Sequence, residues 1–133
     1  MSFRLAVLAL SVTLTCAVAG CGRPEAQVVP PPDSTAALEQ LGRFYKYLAY
    51  ERQRPPARAA DLTAYPPESI PDAWPLIQSG DIVIVWGSGY SAASNQILAY
   101  EKAVETNGGK VLMQNGTVKE MTAETFKAAR GGR

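Results

Sequence analysis

The chain has 133 residues, 47% of them hydrophobic, and carries 13 Lys and Arg against 12 Asp and Glu, with no histidine. That length leaves room for one domain at most. The near-neutral charge argues against nucleic acid as a partner, and the missing histidine removes Ser–His and Cys–His nucleophiles, His-ligated zinc and imidazole acid–base catalysis.

The chain opens with Arg4 and an uncharged apolar run over residues 5–19 that ends in small side chains. A short positive start, about 15 apolar residues and a small-residue end make a secretory signal. A membrane-spanning helix needs about 20 apolar residues, and Gly22-Arg23-Pro24 follows too soon. An uncleaved anchor or a short buried helix is the competing reading. Val18-Ala19-Gly20-Cys21 resembles the lipobox of bacterial lipoproteins. The resemblance implies diacylglyceryl transfer to the Cys21 thiol, cleavage between Gly20 and Cys21, and acylation of the freed amino group. Two or more acyl chains hold a protein stably on a bilayer, at roughly 0.8 kcal/mol per buried methylene. Ordinary secretion, with Cys21 a stray residue, is the alternative. Gly22 stands where well-studied families place the Asp that retains a lipoprotein at the inner membrane, which favours the outer membrane.

On this reading residues 1–20 are the signal, 21–33 a Pro-rich tether and 34–130 the single domain. Cys16 leaves with the signal and Cys21 is consumed by lipid, so no thiol or disulfide remains. Small exported domains usually lean on disulfides; this one must stand on its core alone. The 13 basic residues fall to twelve once Arg4 is removed, level with the 12 acids. The tether, with Pro30-Pro31-Pro32, favours extended polyproline geometry and holds the domain on the order of 30 Å from the bilayer.

Asp33 or Ser34 can cap a helix of about 18 residues whose Leu38, Leu41, Tyr45 and Leu48 recur at helical spacing, with Phe44 widening the stripe. Its aromatics, Phe44, Tyr45, Tyr47 and Tyr50, form either a core stripe or the lining of a groove. Pro55-Pro56 is expected to end it. Residues 39–58 hold Arg43, Lys46, Arg52, Arg54 and Arg58 against Glu39 and Glu51, which marks a solvated helix side or a docking face. A short second helix is expected over 57–65. Residues 66–80, with four prolines, read as loop, Trp74 packing down on the first helix.

Residues 81–86 are the clearest strand, β-branched and continuously apolar, which predicts burial on both faces or a central place in the sheet. Residues 97–101 read as strand or helix. Asn115-Gly116 lies between two β-prone runs and predicts a hairpin in which both turn residues take positive φ. Thr122 can cap a last helix over 123–129 with Glu124 in its first turn. The order predicts an α+β domain with a small, mainly antiparallel sheet between a long N-terminal amphipathic helix and a short C-terminal one.

Arg54-Pro55-Pro56-Ala57, Ala60-Asp61-Leu62-Thr63-Ala64-Tyr65, Asp72-Ala73-Trp74-Pro75 and the Gly-rich run from Gly108 to Lys119 together look like the soluble domain of type II secretion pseudopilins. The resemblance covers about residues 35–126. It implies a helix packed on a small sheet that ends in a Gly-rich hairpin, and a role in secretion or pilus-like assembly. Pseudopilins begin with a prepilin site and a long apolar helix; this chain has a lipobox there, so the resemblance implies a tethered adaptor and not a fibre subunit. Some pseudopilins bind calcium through a C-terminal acidic loop, and no matching cluster stands here.

The Gly87-Ser88-Gly89-Tyr90-Ser91-Ala92 run follows a strand and fits the Gly-x-Gly-x-x-Gly/Ala pattern of dinucleotide folds. If residues 92–106 were helix, a βαβ unit would close. The acidic residue expected about 20 positions on is missing, and a Gly/Ser turn between antiparallel strands is the plain alternative. The expectation is therefore a non-enzymatic, lipid-anchored envelope protein that uses no cofactor or metal and no nucleic acid. It binds a protein partner through Arg43, Lys46 and Arg52. The other reading is a small-ligand or nucleotide module at Gly87, Ser88 and Gly89.

Overall fold

A computed structural model describes residues 33–131. The signal, lipobox and most of the tether, Gly20 and Cys21 included, lie outside the described residues.

Helix α1 (Ser34–Tyr50) starts where the Asp33 carboxylate accepts the Thr35 N–H at 2.9 Å, satisfying a donor that the helix itself leaves open. Leu38, Leu41, Tyr45 and Leu48 are all buried. The helix ends before the prolines expected to stop it. Gln53 N–H donates to the Leu48 carbonyl at 2.9 Å and Arg52 N–H to Ala49 at 3.2 Å. These two bonds form a Schellman closure, which places Arg52 in the left-handed region at φ 55. The second helix is shorter than expected, a single turn, α2 (Ala59–Leu62).

Residues 66–80 are not loop throughout. They hold a 3-10 turn, Pro67–Ser69, and a helix, α3 (Ala73–Ser79). Pro75 is the third residue of α3, where a backbone N–H would have no helical acceptor, so proline is tolerated there. Trp74 is half-buried against the core under α1.

The sheet has four strands, β1 (Ile82–Ile84), β2 (Ile97–Glu101), β3 (Gly109–Met113) and β4 (Val118–Met121), each antiparallel to its neighbour in the order β1-β2-β3-β4. A single turn, α4 (Val104–Asn107), joins β2 to β3, and α5 (Ala123–Gly131) follows β4. The domain is α+β. No described helix is long and apolar enough to cross a membrane.

Strand β1 lies at the edge and not at the centre. Its continuous apolarity comes from cover on both faces: Ile82 and Ile84 join the core beneath α1, while Val83 and Val85 pack toward the cluster of Tyr100 and Phe126. Val85 N–H donates to Leu98 and Lys102 N–H to Asp81, so Ile82 and Ile84 turn their amides to the free edge. These two residues are only 2% and 4% exposed, and α3 packs beside them, which shields an edge that carries no charge of its own.

Residues 97–101 are strand, so the helix over 92–106 required for a βαβ unit does not form. The hairpin after β3 is present with a different turn. Gly116 alone has positive φ, at 85°, and its N–H donates to the Met113 carbonyl while Met113 N–H donates to Thr117. That is a type I turn closed by a left-handed glycine, one residue longer than the two-residue form. Close approach matters at Gly42, where an added Cβ would stand 3.2 Å from Leu112 Cδ1 and 3.4 Å from the Gly116 carbonyl; α1 rests directly on the hairpin.

Candidate functional site

The loop after β1 is tied into the fold at three points. Gly87 N–H donates to Pro56 at 3.0 Å, Ser88 to Val85 at 3.2 Å and Ser91 to Gln114 at 2.9 Å. Gly89 packs on the Pro55 ring. A phosphate cradle needs amides pointing outward at a helix start; here these amides are spent on internal carbonyls, and no helix follows. Gly87, with φ 79°, serves a turn between antiparallel strands.

The basic positions fall on the outer side of α1. Arg43 and Lys46 are exposed, and Tyr47 and Tyr50 stand with them at helical spacing. Tyr47 is 56% exposed and Tyr50 84%, the two exposed large hydrophobic side chains among the described residues. Shallow grooves run on either side. One, about 420 Å³, includes Phe44, Tyr65 and Pro71; the other, about 500 Å³, includes Gly42, Tyr90 and Asn115, and Arg43 borders both. Lys46 Nζ lies 5.9 Å from the centre of the Tyr90 ring. The structure thus joins Lys46 to the end of the Gly-rich loop, a contact the sequence does not announce. Arg52 is exposed too, but past the helix end in its strained conformation.

Beneath this face the Tyr45 hydroxyl is buried and finds no hydrogen-bond partner among the described residues. Burial pushes the phenol well above its usual pKa.

A third feature lies on the opposite side of the sheet. Val83, Val85, Ile97 and Tyr100 line a cleft of about 440 Å³ that Asn95, Gln96, Ala129 and Arg130 border, with Trp86, which packs against the cluster under α1, at its margin. Phe126 of α5 packs against Tyr100 with centroids 4.7 Å apart and the rings tilted by 54°. The Arg130 guanidinium lies 5.3 Å from the Tyr100 ring centre, and its Nη1 donates to Glu105 at 3.1 Å. Tyr100 hydroxyl donates to the same carboxylate at 3.1 Å. That hydrogen bond, followed by the Lys102 and Arg130 charges, holds the Glu105 carboxyl below the usual glutamate range. Burial, with Glu105 second, pushes the Tyr100 phenol up.

No protein-family model, curated protein or solved structure matches this chain.

Glu105, the acid with the most partners, is engaged by Tyr100, Lys102 and Arg130. Among the described residues no group of three or more Cys, Asp or Glu side chains converges as a metal site. Helical spacing alone places Arg43 and Lys46 on one side of α1. The residues lining the cleft come from two strands, a loop and the last turn of α5, and no local pattern in the sequence links them.

Proposed function

We propose that the chain is a lipid-anchored cell-envelope protein, held by acylated Cys21 and favouring the outer membrane, whose domain docks a protein partner on the exposed side of α1. The domain acts without catalysis, as an adaptor. Its α1, laid on a small antiparallel sheet with a Gly-containing hairpin, fits a pilin-like domain, so secretion or pilus-assembly components are the partners to expect.

One observation carries this reading: Tyr47 and Tyr50 stand exposed on the same side as Arg43 and Lys46. Two exposed tyrosines beside two cations make a contact surface ready for a partner. Tyrosine and arginine are the residue types that dominate interface energies, because they offer large contact area and fixed polar ends. The loop 87–91 has no such support, since its Gly87, Ser88 and Ser91 amides already have acceptors.

The test is a photo-crosslinking residue placed in intact cells at Tyr50, with Glu120 on the exposed edge strand as control. The reading expects a discrete protein adduct from position 50 and none from 120. That adduct disappears when Arg43, Lys46 and Arg52 are reversed to Glu, and when Cys21→Ala releases the protein from the membrane. Equal adducts from both positions, or lipid adducts alone at 50, overturn it.

A further inference from the structure

The two faces of the sheet are covered unequally. Helices α1 and α3 close one face, but on the other the nine-residue α5 reaches only as far as Tyr100. Val83 and Val85 stay half-buried beyond it. What remains is a recess with an apolar floor and a single charged lining residue, Arg130. Its volume of about 440 Å³ lies within the range of small-molecule sites, which runs from roughly 300 to 1,000 Å³.

The polar end of the recess is built and not accidental. Arg130 is held over Tyr100 by ring contact and by the bond from its Nη1 to Glu105. Its other guanidinium nitrogens make no hydrogen bond among the described residues. A planar cation fixed in this way presents paired donors of the kind a carboxylate takes in bidentate fashion. Gln96 and Asn95 add neutral polar groups to the lining at the Ile97 end of β2.

We propose that this cleft binds a small amphipathic monocarboxylate, its apolar body on Val83, Val85 and Ile97 and its carboxylate on Arg130. Cationic ligands are disfavoured by Arg130, and ligands with several charges by the apolar floor. The site is separate from the α1 face and does not depend on that face binding a partner. Occupancy bridges β1 to α5, two elements that the chain otherwise leaves weakly joined.

The experiment titrates the full-length chain with 3-phenylpropionate and with the uncharged 3-phenylpropionamide, followed by calorimetry and by tryptophan fluorescence. Trp86 borders the cleft and serves as the reporter. The expected result is saturable binding of the acid, about tenfold tighter than the amide, as one charge-assisted contact at a partly exposed site allows. Arg130→Gln should erase that preference. Glu105→Gln keeps an amide oxygen that Arg130 Nη1 can donate to but removes the competing negative charge, so Arg130 stays in place and acid binding should tighten. Trp86→Phe should abolish the fluorescence change and leave the calorimetric signal. Failure of both probes to saturate by about 10 mM, equal affinity for acid and amide, or parallel weakening by Arg130→Gln and Glu105→Gln would overturn the proposal. The last result would mean that the ion pair merely holds α5 in place.

Discussion

The two sides of the sheet solve the same problem with different resources. Under α1, fourteen buried side chains form a continuous cluster that draws on three helices and three strands; under α5 the cluster has six. The first side behaves as the core that makes the domain fold. The second is a partial lid, anchored by Phe126 and by the bonds around Glu105, and it leaves a recess. In a domain with few residues to spend, the side that is closed supplies stability, and the side left partly open has room for a ligand.

The largest test of this difference is a pair of truncations. Leu41→Ala, at a position that is 0% exposed, should lower global stability by about 3 kcal/mol in urea titration, as a buried leucine in a closed core does. Phe126→Ala would cost about 3–5 kcal/mol in such a core, but here it should register below that. Hydrogen exchange should then show α5 amides losing protection while β2 and β3 keep theirs. If the strands lose protection in step with α5, the two sides are one cooperative unit and the comparison breaks.

Tyr45→Phe sharpens the account of the α1 side. It removes a buried hydroxyl that has no partner among the described residues, so the variant should gain about 1 kcal/mol. A loss instead would reveal a partner for that hydroxyl. At the end of the same helix, Arg52→Gly relieves a left-handed residue and should raise the urea midpoint by a gain of about 1 kcal/mol or slightly less.

The smallest effect belongs to α5. The Glu105 pKa is depressed in the folded state, so its contribution is present above the ordinary glutamate pKa and is lost as pH falls through the folded value. Protection factors at α5 amides, which correct for the intrinsic pH dependence of exchange, should therefore drop at pH below the ordinary glutamate pKa before those of the strands do. Glu105→Gln should remove that pH dependence.

Much of the fold is legible from side-chain spacing. The stripe from Leu38 to Leu48, the Asp33 cap and the Asn115-Gly116 turn region all carry local signals. The departures have physical causes. Pro71 and Pro75 suggest a loop, yet one precedes α3 and the other sits in its first turn, where no hydrogen bond is lost. The apolar run at β1 reports cover on two faces but cannot say whether another strand lies beyond it. Arg52 hides its structural role because nothing marks a left-handed position when the residue is not glycine. Of the candidate site, the exposure of Arg43 and Lys46 follows from the helical period. The placement of Tyr90 beside Lys46, and of Arg130 beside Tyr100, depends on how distant segments meet.

The order of the strands has a further consequence, for the route by which the domain forms. Each strand pairs with its neighbour along the chain, so the sheet can grow by closing short loops, the kind of contact that assembles quickly. Helix α1 rests on β3 and on the hairpin, far along the chain. The first helix can pack early against α3, close behind it in the chain, but its Gly42 seat is complete only when the last hairpin arrives.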